Sequence, residues 1–180
     1  MEFETRLIDI NVDNIRKILT DNNAEKVKVE DQINDIYDFE DKRLLNKKGY
    51  ARIRTIYDHL HNETIYYMTT KKIVSQGKFK VMDENETIIE NKKAGEGIFK
   101  SLGLCLNQSI KKYRESYRIF DSLVEIDINE KSFCPFPYLE IETNSEESLK
   151  KVVELLGYKT SDTTSETIYK IIEDYKNKKL

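Results

Sequence analysis

The chain has 180 residues, 38% of them hydrophobic and 35% charged, with 30 basic and 33 acidic side chains and a net charge of −3. That length suits one domain with a buried core, and the 10% aromatic share argues against disorder. A balance so near neutral gives no global pull toward a nucleic-acid polymer or an anionic membrane, so any anion site has to be a local concentration of Lys and Arg.

The predicted elements alternate strands with a few helices. "EFETRLIDI" (2–10) opens the chain as a strand, and "VDNIRKILTDNN" (12–23) has helical spacing with Asn11 or Asp13 as its cap. "DIYDFED" (35–41) is a strand. "NKKG" (46–49) turns the chain into the strand "YARIRTIY" (50–57). "DHLHN" (58–62) is a turn, where His59 and His61 read as turn neighbours rather than a metal pair. Strands follow in "ETIYYMTTKK" (63–72) and "KVMDENETIIE" (80–90), then a helix in "NKKAGEGIFKSLGL" (91–104) with Gly103 near its end. "QSIKKYRESYRIF" (108–120), "SLVEIDI" (122–128) and "PYLEIET" (137–143) complete eight strands. Two helices close the chain: "SEESLKKVVELLGY" (145–158), which opens at Ser145 and stops at Gly157, and "SETIYKIIEDYKNKK" (165–179). The reading is an antiparallel α+β fold, with no internal repeat or linker.

The first residues are acidic and polar, without a basic stretch leading into an apolar run, and no run approaches the ~20 apolar residues of a membrane span. These features predict a cytoplasmic protein. Cys105 and Cys134 lack CxxC spacing and read as reduced structural thiols. With so few His and Cys, a hard, oxygen-ligated cation fits better than zinc or copper.

The strands share one pattern. Residues i and i+2 of a strand point the same way. Glu2, Glu4 and Arg6 therefore share a face. So do Arg52 and Arg54, Glu84 and Glu86, Lys112 and Arg114, Glu125 and Asp127, and Glu140 and Glu142; Lys71 follows Thr69 in the same way. The intervening Phe3, Ile53, Tyr113, Ile126 and Ile141 take the other face. On an open sheet these charges would simply be solvated. In a closed barrel they would line a lumen. The pairs are sorted by sign and rich in Arg, the residue suited to bidentate phosphate contacts, which favours the lumen. Acidic pairs beside basic ones fit a polyphosphate and its divalent cation.

ExExR, RxR, "MTTK", ExE, KxRE, "EID" and "LEIE", in that order from Glu2 to about Tyr169, resemble the CYTH domain. This family of triphosphate tunnel metalloenzymes includes class IV adenylate cyclases, thiamine triphosphatases and inorganic triphosphatases. The resemblance implies an α+β fold: an eight-stranded antiparallel β-barrel, the triphosphate tunnel, with helices packed outside. Residues 1–180 would form a single CYTH-like domain. It implies that Glu2, Glu4, Glu140 and Glu142 hold the metal, Mg²⁺ or Mn²⁺. It implies that Arg6, Arg52, Arg54, Lys71, Lys112 and Arg114 bind phosphate. Lys71 and Asp127 take catalytic roles, and Glu84 and Glu86 serve metal or structure. A β-bulge would exchange Lys72 for Lys71. Arg6 stands where the family usually has Lys, and Arg stays protonated, so proton transfer at position 6 is excluded.

The expected activity is metal-dependent hydrolysis of a triphosphate: inorganic tripolyphosphate, thiamine triphosphate or a nucleoside triphosphate. One alternative is a class IV adenylate cyclase that makes cyclic AMP and pyrophosphate from ATP. A second is a non-catalytic polyphosphate- or nucleotide-binding module. The expected partner is a small-molecule triphosphate, with the chain a monomer or homodimer.

Overall fold

The computed structural model describes residues 3–76 and 80–177, with the side chains of 4–72 and 83–177. Eight strands form: β1 (Phe3–Ile8), β2 (Glu25–Asp38), β3 (Tyr50–Asp58), β4 (Glu63–Gln76), β5 (Lys80–Ile89), β6 (Cys105–Ile119), β7 (Ser122–Asn129) and β8 (Tyr138–Thr143). The helices are α1 (Val12–Asp21), α2 (Arg43–Asn46), α3 (Lys92–Ser101), α4 (Glu146–Leu155) and α5 (Ile168–Asn177). The strands form one sheet in the order β1-β8-β7-β6-β2-β3-β4-β5, and every described pairing is antiparallel. This is the expected eight-stranded antiparallel α+β architecture. Among the described residues no β1–β5 ladder closes that order. At Arg6 the outer edge of β1 instead pairs with Thr164, through Arg6 N donating to Thr164 O (2.8 Å) and Thr164 N to Arg6 O (2.9 Å).

Two compact units make up the chain. The first comprises Met1–Val29 and Tyr113–Leu180. In its core Leu7, Ile126, Leu139 and Ile141 pack with Ile15 and Leu19 of α1 and Val152 and Val153 of α4. α1 begins where the Asn11 side chain accepts from Asn14 N (3.0 Å), and Ser145 caps α4 from Ser148 N (3.1 Å). Cys134, Phe136 and Tyr138 form a smaller core with Ile171 and Ile172 of α5. Cys134 is buried and Cys105 exposed, and both are free thiols.

The second unit is Glu30–Lys112. Its core joins Tyr37, Ala51 and Ile53 to Phe99 of α3 and to Leu104. Gly95 of α3 faces this core: a Cβ there would meet Ile89 Cδ1 at 2.5 Å, so the Ile89 side chain would have to shift to admit one.

Two features depart from the sequence expectation. β2 starts at Glu25, not Asp35: over its first ten residues Glu, Lys, Asp, Gln and Asn, poor strand formers on their own, are interleaved with Val27, Val29 and Ile33. The ladder with β3, from Glu30 opposite Asp58 to Tyr37 opposite Ala51, overrides that preference. α2 forms in a stretch to which the sequence pattern assigns no element, running into the 46–49 turn, because the Asp38 carboxylate accepts from Leu44 N (3.0 Å) and Leu45 N (2.9 Å).

One buried carboxylate in the first unit ties helix to sheet. Glu115 accepts from Arg16 Nη2 (2.6 Å), Tyr113 Oη (2.9 Å) and Tyr117 Oη (2.7 Å). Burial pushes this carboxyl up, but the hydrogen bonds from Arg16, Tyr117 and Tyr113 outweigh burial and bring it down to about 2. A lowered folded-state value contributes stability above the unfolded value, and that stability is lost as pH falls through the folded one. Glu115→Gln should therefore cost about 2 kcal/mol at pH 7, with the difference from wild type shrinking between roughly pH 4.5 and pH 2. Urea unfolding at pH 7 and pH 3 checks this. An equal loss at both would assign the effect to packing.

Candidate active site

Alternation and register sort the charged side chains of each unit onto one sheet face, opposite its apolar core. In the first unit, Glu4 of β1 lies directly across from Glu142 of β8, and Arg6 from Glu140. Glu140 is in turn opposite Glu125 of β7, and Tyr138 opposite Asp127. Across β1, β7 and β8 that face carries, among the described residues, five carboxylates: Glu4, Glu125, Asp127, Glu140 and Glu142. The guanidiniums they meet are Arg6 and Arg114.

Arg114 is the hub. Its Nε and Nη2 donate to the two oxygens of Asp127 (2.6 Å each), Nη2 also to Glu140 Oε2 (2.7 Å), and Nη1 pairs with Glu125. Of five guanidinium N–H groups, these bonds leave one, on Nη1. Burial works against the charge on Arg114, but the fields of Asp127, Glu125 and Glu140 more than offset it and lift its pKa well above the usual range. Ser116 Oγ donates to Glu125 (2.8 Å), so the carboxylates holding Arg114 are themselves held. Asp127 is fully buried. Burial first, then the fields of Asp127 and Glu140, push the Tyr138 phenol well up, keeping it neutral.

Arg6 is held in a similar way. It donates from Nε to Glu140 Oε1 (2.9 Å), from Nη1 to the Glu166 carbonyl (2.9 Å) and from Nη2 to Glu4, and Nη2 also pairs with Glu140 Oε1 (2.7 Å). Glu4 is the most open member, with 42% of its side chain exposed. Glu2 lies outside the described residues.

In the second unit the equivalent face carries Arg52 and Arg54 on β3, Thr69 and Lys71 on β4, and Glu84 and Glu86 on β5. Thr69 stands opposite both Arg52 and Glu86, and Lys71 opposite Glu84. Lys71 is thus on the arginine face and pairs with Glu84 (2.8 Å). Lys72 points the other way, to Asp83 (3.2 Å), and the register shift of this hairpin comes later, between Ile73 and Ser75. Thr69 Oγ1 donates to Glu86 Oε2 (2.6 Å).

Arg52 is held loosely compared with Arg114. Its Nη2 reaches Thr69 and Glu86 at 3.4 Å each and Glu84 at 4.0 Å, while its buried Nε has no hydrogen-bond partner. Lys112 is half-buried on β6 at the end of this unit.

The β3–β4 turn places one ligand atom each of Asp58, His61 and Glu63 within 4.8 Å of one another, at an open hairpin tip. His61 Nδ1 lies 2.7 Å from Asp58, and His59 Nε2 lies 2.8 Å from Asp31.

The sequence pattern pairs Glu125 with Asp127 but does not mark it for the site. Only the fold shows that it is buried and paired with Arg114 Nη1.

No curated protein matches the sequence. Solved structures do match the fold. The PH1012 protein of Pyrococcus horikoshii is 21% identical with a TM-score of 0.74, covering 96% of this chain and 99% of its own. A candidate adenylate cyclase from Vibrio parahaemolyticus is 14% identical with a TM-score of 0.74, covering 96% and 97%. A candidate adenylyl cyclase from Hippeastrum, with a dominant triphosphatase activity, is 17% identical with a TM-score of 0.70, covering 97% and 96%. The CYTH domain pattern itself matches residues 1–168, so the chain belongs to the CYTH domain family.

Proposed function

We propose that this chain is a divalent-metal-dependent hydrolase of a triphosphate, with residues 1–180 working as a single domain. The observation that carries the reading is the cross-strand pair Glu4–Glu142. Like charges directly opposite on a ladder are unfavourable, and a cation between them reverses the sign. The excess of carboxylates over guanidiniums on that face supports the same conclusion. The donors are all carboxylate oxygens, which suits Mg²⁺ or Mn²⁺. Glu4 and Glu142 would hold the ion, with Glu2 as a further carboxylate in the family pattern; Glu140, whose two oxygens accept from Arg6 and Arg114, would join them only by exchanging one of those bonds for the ion. When bound, such an ion stabilises negative charge on phosphate oxygens.

The chain's own residues do the rest. Arg52, with its unpartnered buried Nε and long contacts, has donors to give a phosphate oxygen; Arg54, Lys71 and Lys112 complete the phosphate-binding set. Arg6 and Arg114 each keep one N–H for the ligand. Lys71 offsets charge on the departing phosphates, and Glu84 and Glu86 orient Lys71 and Arg52. Catalysis is then positioning and charge stabilisation around an in-line attack by water, with no side-chain nucleophile.

Asp127 acts through Arg114, because both of its oxygens are committed to that guanidinium. Asp127→Asn should lower kcat/KM about tenfold and leave the acid limb of its pH profile in place. Loss of that limb would make Asp127 a proton acceptor instead.

The reading is tested by incubating the protein with Mg²⁺ or Mn²⁺ and tripolyphosphate, thiamine triphosphate or ATP. Released phosphate and cyclic AMP are measured together. Phosphate without cyclic AMP is expected. Cyclic AMP with matching pyrophosphate would transfer the assignment to a cyclase, and neither product from folded protein would leave a binding module.

A further inference from the structure

The second unit carries a row of carboxylates that the proposed reaction does not use. Glu30 of β2 is opposite Asp58 of β3, and Asp58 is opposite Glu63 of β4. Directly opposed residues share a face, with Cβ atoms about 4.5–5.5 Å apart. Three like charges therefore stand side by side across three strands, at the end of the β3–β4 hairpin. Among the described residues no Lys or Arg forms an ion pair with Glu30, Asp58 or Glu63. Such a row is unfavourable unless something positive lies against it.

The turn brings an imidazole to the same place. His61 Nδ1 lies 2.7 Å from Asp58, and one ligand atom each of Asp58, His61 and Glu63 falls within 4.8 Å of the others. Two ligands of one ion, each about 2.1 Å from it, are at most about 4.2 Å apart. A small side-chain rotation therefore brings all three onto one ion. The turn itself is fixed. Asp58 Oδ1 accepts from Leu60 N (2.8 Å), and Asn62 takes a left-handed φ of 57°, which asparagine tolerates. His59 is not part of the set. It pairs with Asp31 (2.8 Å), a residue of the other face.

Gln32 is one same-face step along β2 from Glu30 and only 2% exposed. Its Nε2 donates to Glu30 Oε2 (2.5 Å), so its amide meets the inner end of the row, and its buried Oε1 has no hydrogen-bond partner. Buried acceptors almost always have a donor. A hydrated cation supplies both things that are missing: positive charge for the carboxylates, and an O–H donor from its water for Gln32 Oε1.

We infer that the tip of the β3–β4 hairpin binds a borderline divalent cation of the Zn²⁺ class, ligated by Asp58, His61 and Glu63, with Glu30 and Gln32 holding its water. An imidazole beside carboxylates suits such an ion better than Mg²⁺, which prefers oxygen ligands. The site uses none of the residues proposed for the catalytic ion and does not rest on the triphosphatase reading.

The chain has only two histidines, so the imidazole signals of ¹⁵N-labelled protein report on this site directly, and His59→Ala tells the two rings apart. Zn²⁺ alone, added to the wild type, should move the His61 signals and leave those of His59 in place. The His61 shift against Zn²⁺ concentration gives the affinity of this site whatever else binds. Glu63→Gln and Asp58→Asn should each weaken that affinity by about tenfold or more. Asn at 58 keeps an acceptor for Leu60 N, and Glu63 is exposed, so Glu63→Gln carries the test if Asp58→Asn does not fold by circular dichroism. His61 signals that Zn²⁺ does not move overturn the site. So does a shift that saturates only at millimolar Zn²⁺, which would mark an adventitious ion only, or an affinity unchanged in the folded variants.

Discussion

Glu4→Ala should lower phosphate release from the preferred triphosphate about a hundredfold or more while the fold stays intact. Glu4 is the most exposed carboxylate of the cluster, and the Arg6 guanidinium it pairs with is also held by Glu140 and the Glu166 carbonyl. An exposed pair of that kind contributes at most ~1 kcal/mol, so the melting temperature in metal-free buffer should move by only a few degrees. The functional consequence is larger, because the substitution removes one half of the Glu4–Glu142 pair. A cation bound to the folded state alone must stabilise it. Wild type should therefore melt higher with Mn²⁺ or Mg²⁺ than with chelator, and Glu4→Ala should lose most of that rise. Melting curves with and without metal, run beside the phosphate assay, check both halves. Full activity in Glu4→Ala would remove the metal assignment at once.

The strand pattern made much of this site legible, and the reason is the two-residue period. Once "YARIRTIY" is a strand, Arg52 and Arg54 must share a face and Ile53 must take the other, where it is fully buried. The same holds for Glu140 and Glu142 around Ile141. What periodicity cannot supply is register. Only the pairing of β1 with β8 shows that Glu4 meets Glu142, and only β4–β5 decides that Lys71, not Lys72, joins the arginines.

Arg114 shows the limit most clearly. "KYRE" reads as a phosphate grip, yet the fold surrounds that guanidinium with three carboxylates from two neighbouring strands. The first half of β2 is obscured for a different reason. Its charged and amide residues, interleaved with Val27, Val29 and Ile33, mask the strand until the β3 ladder fixes their direction.

Arg114→Ala is the substitution expected to damage the fold most. It would leave Glu125, Asp127 and Glu140 facing one another in the interior of the first unit, with Arg6 reaching Glu140 alone among them. Removing one partner of a buried ion pair typically costs about 3–5 kcal/mol, because the remaining charge is neither solvated nor compensated. Arg114→Lys keeps one charge but cannot span Asp127, Glu125 and Glu140 together, and should recover only part of the loss. Urea unfolding of the three proteins at pH 7 measures this. A lysine variant no more stable than the alanine variant would mean that Arg114 supports the fold by its shape and packing rather than its charge. In that case the carboxylates around it would not depend on that charge, and Asp127 would need a role of its own.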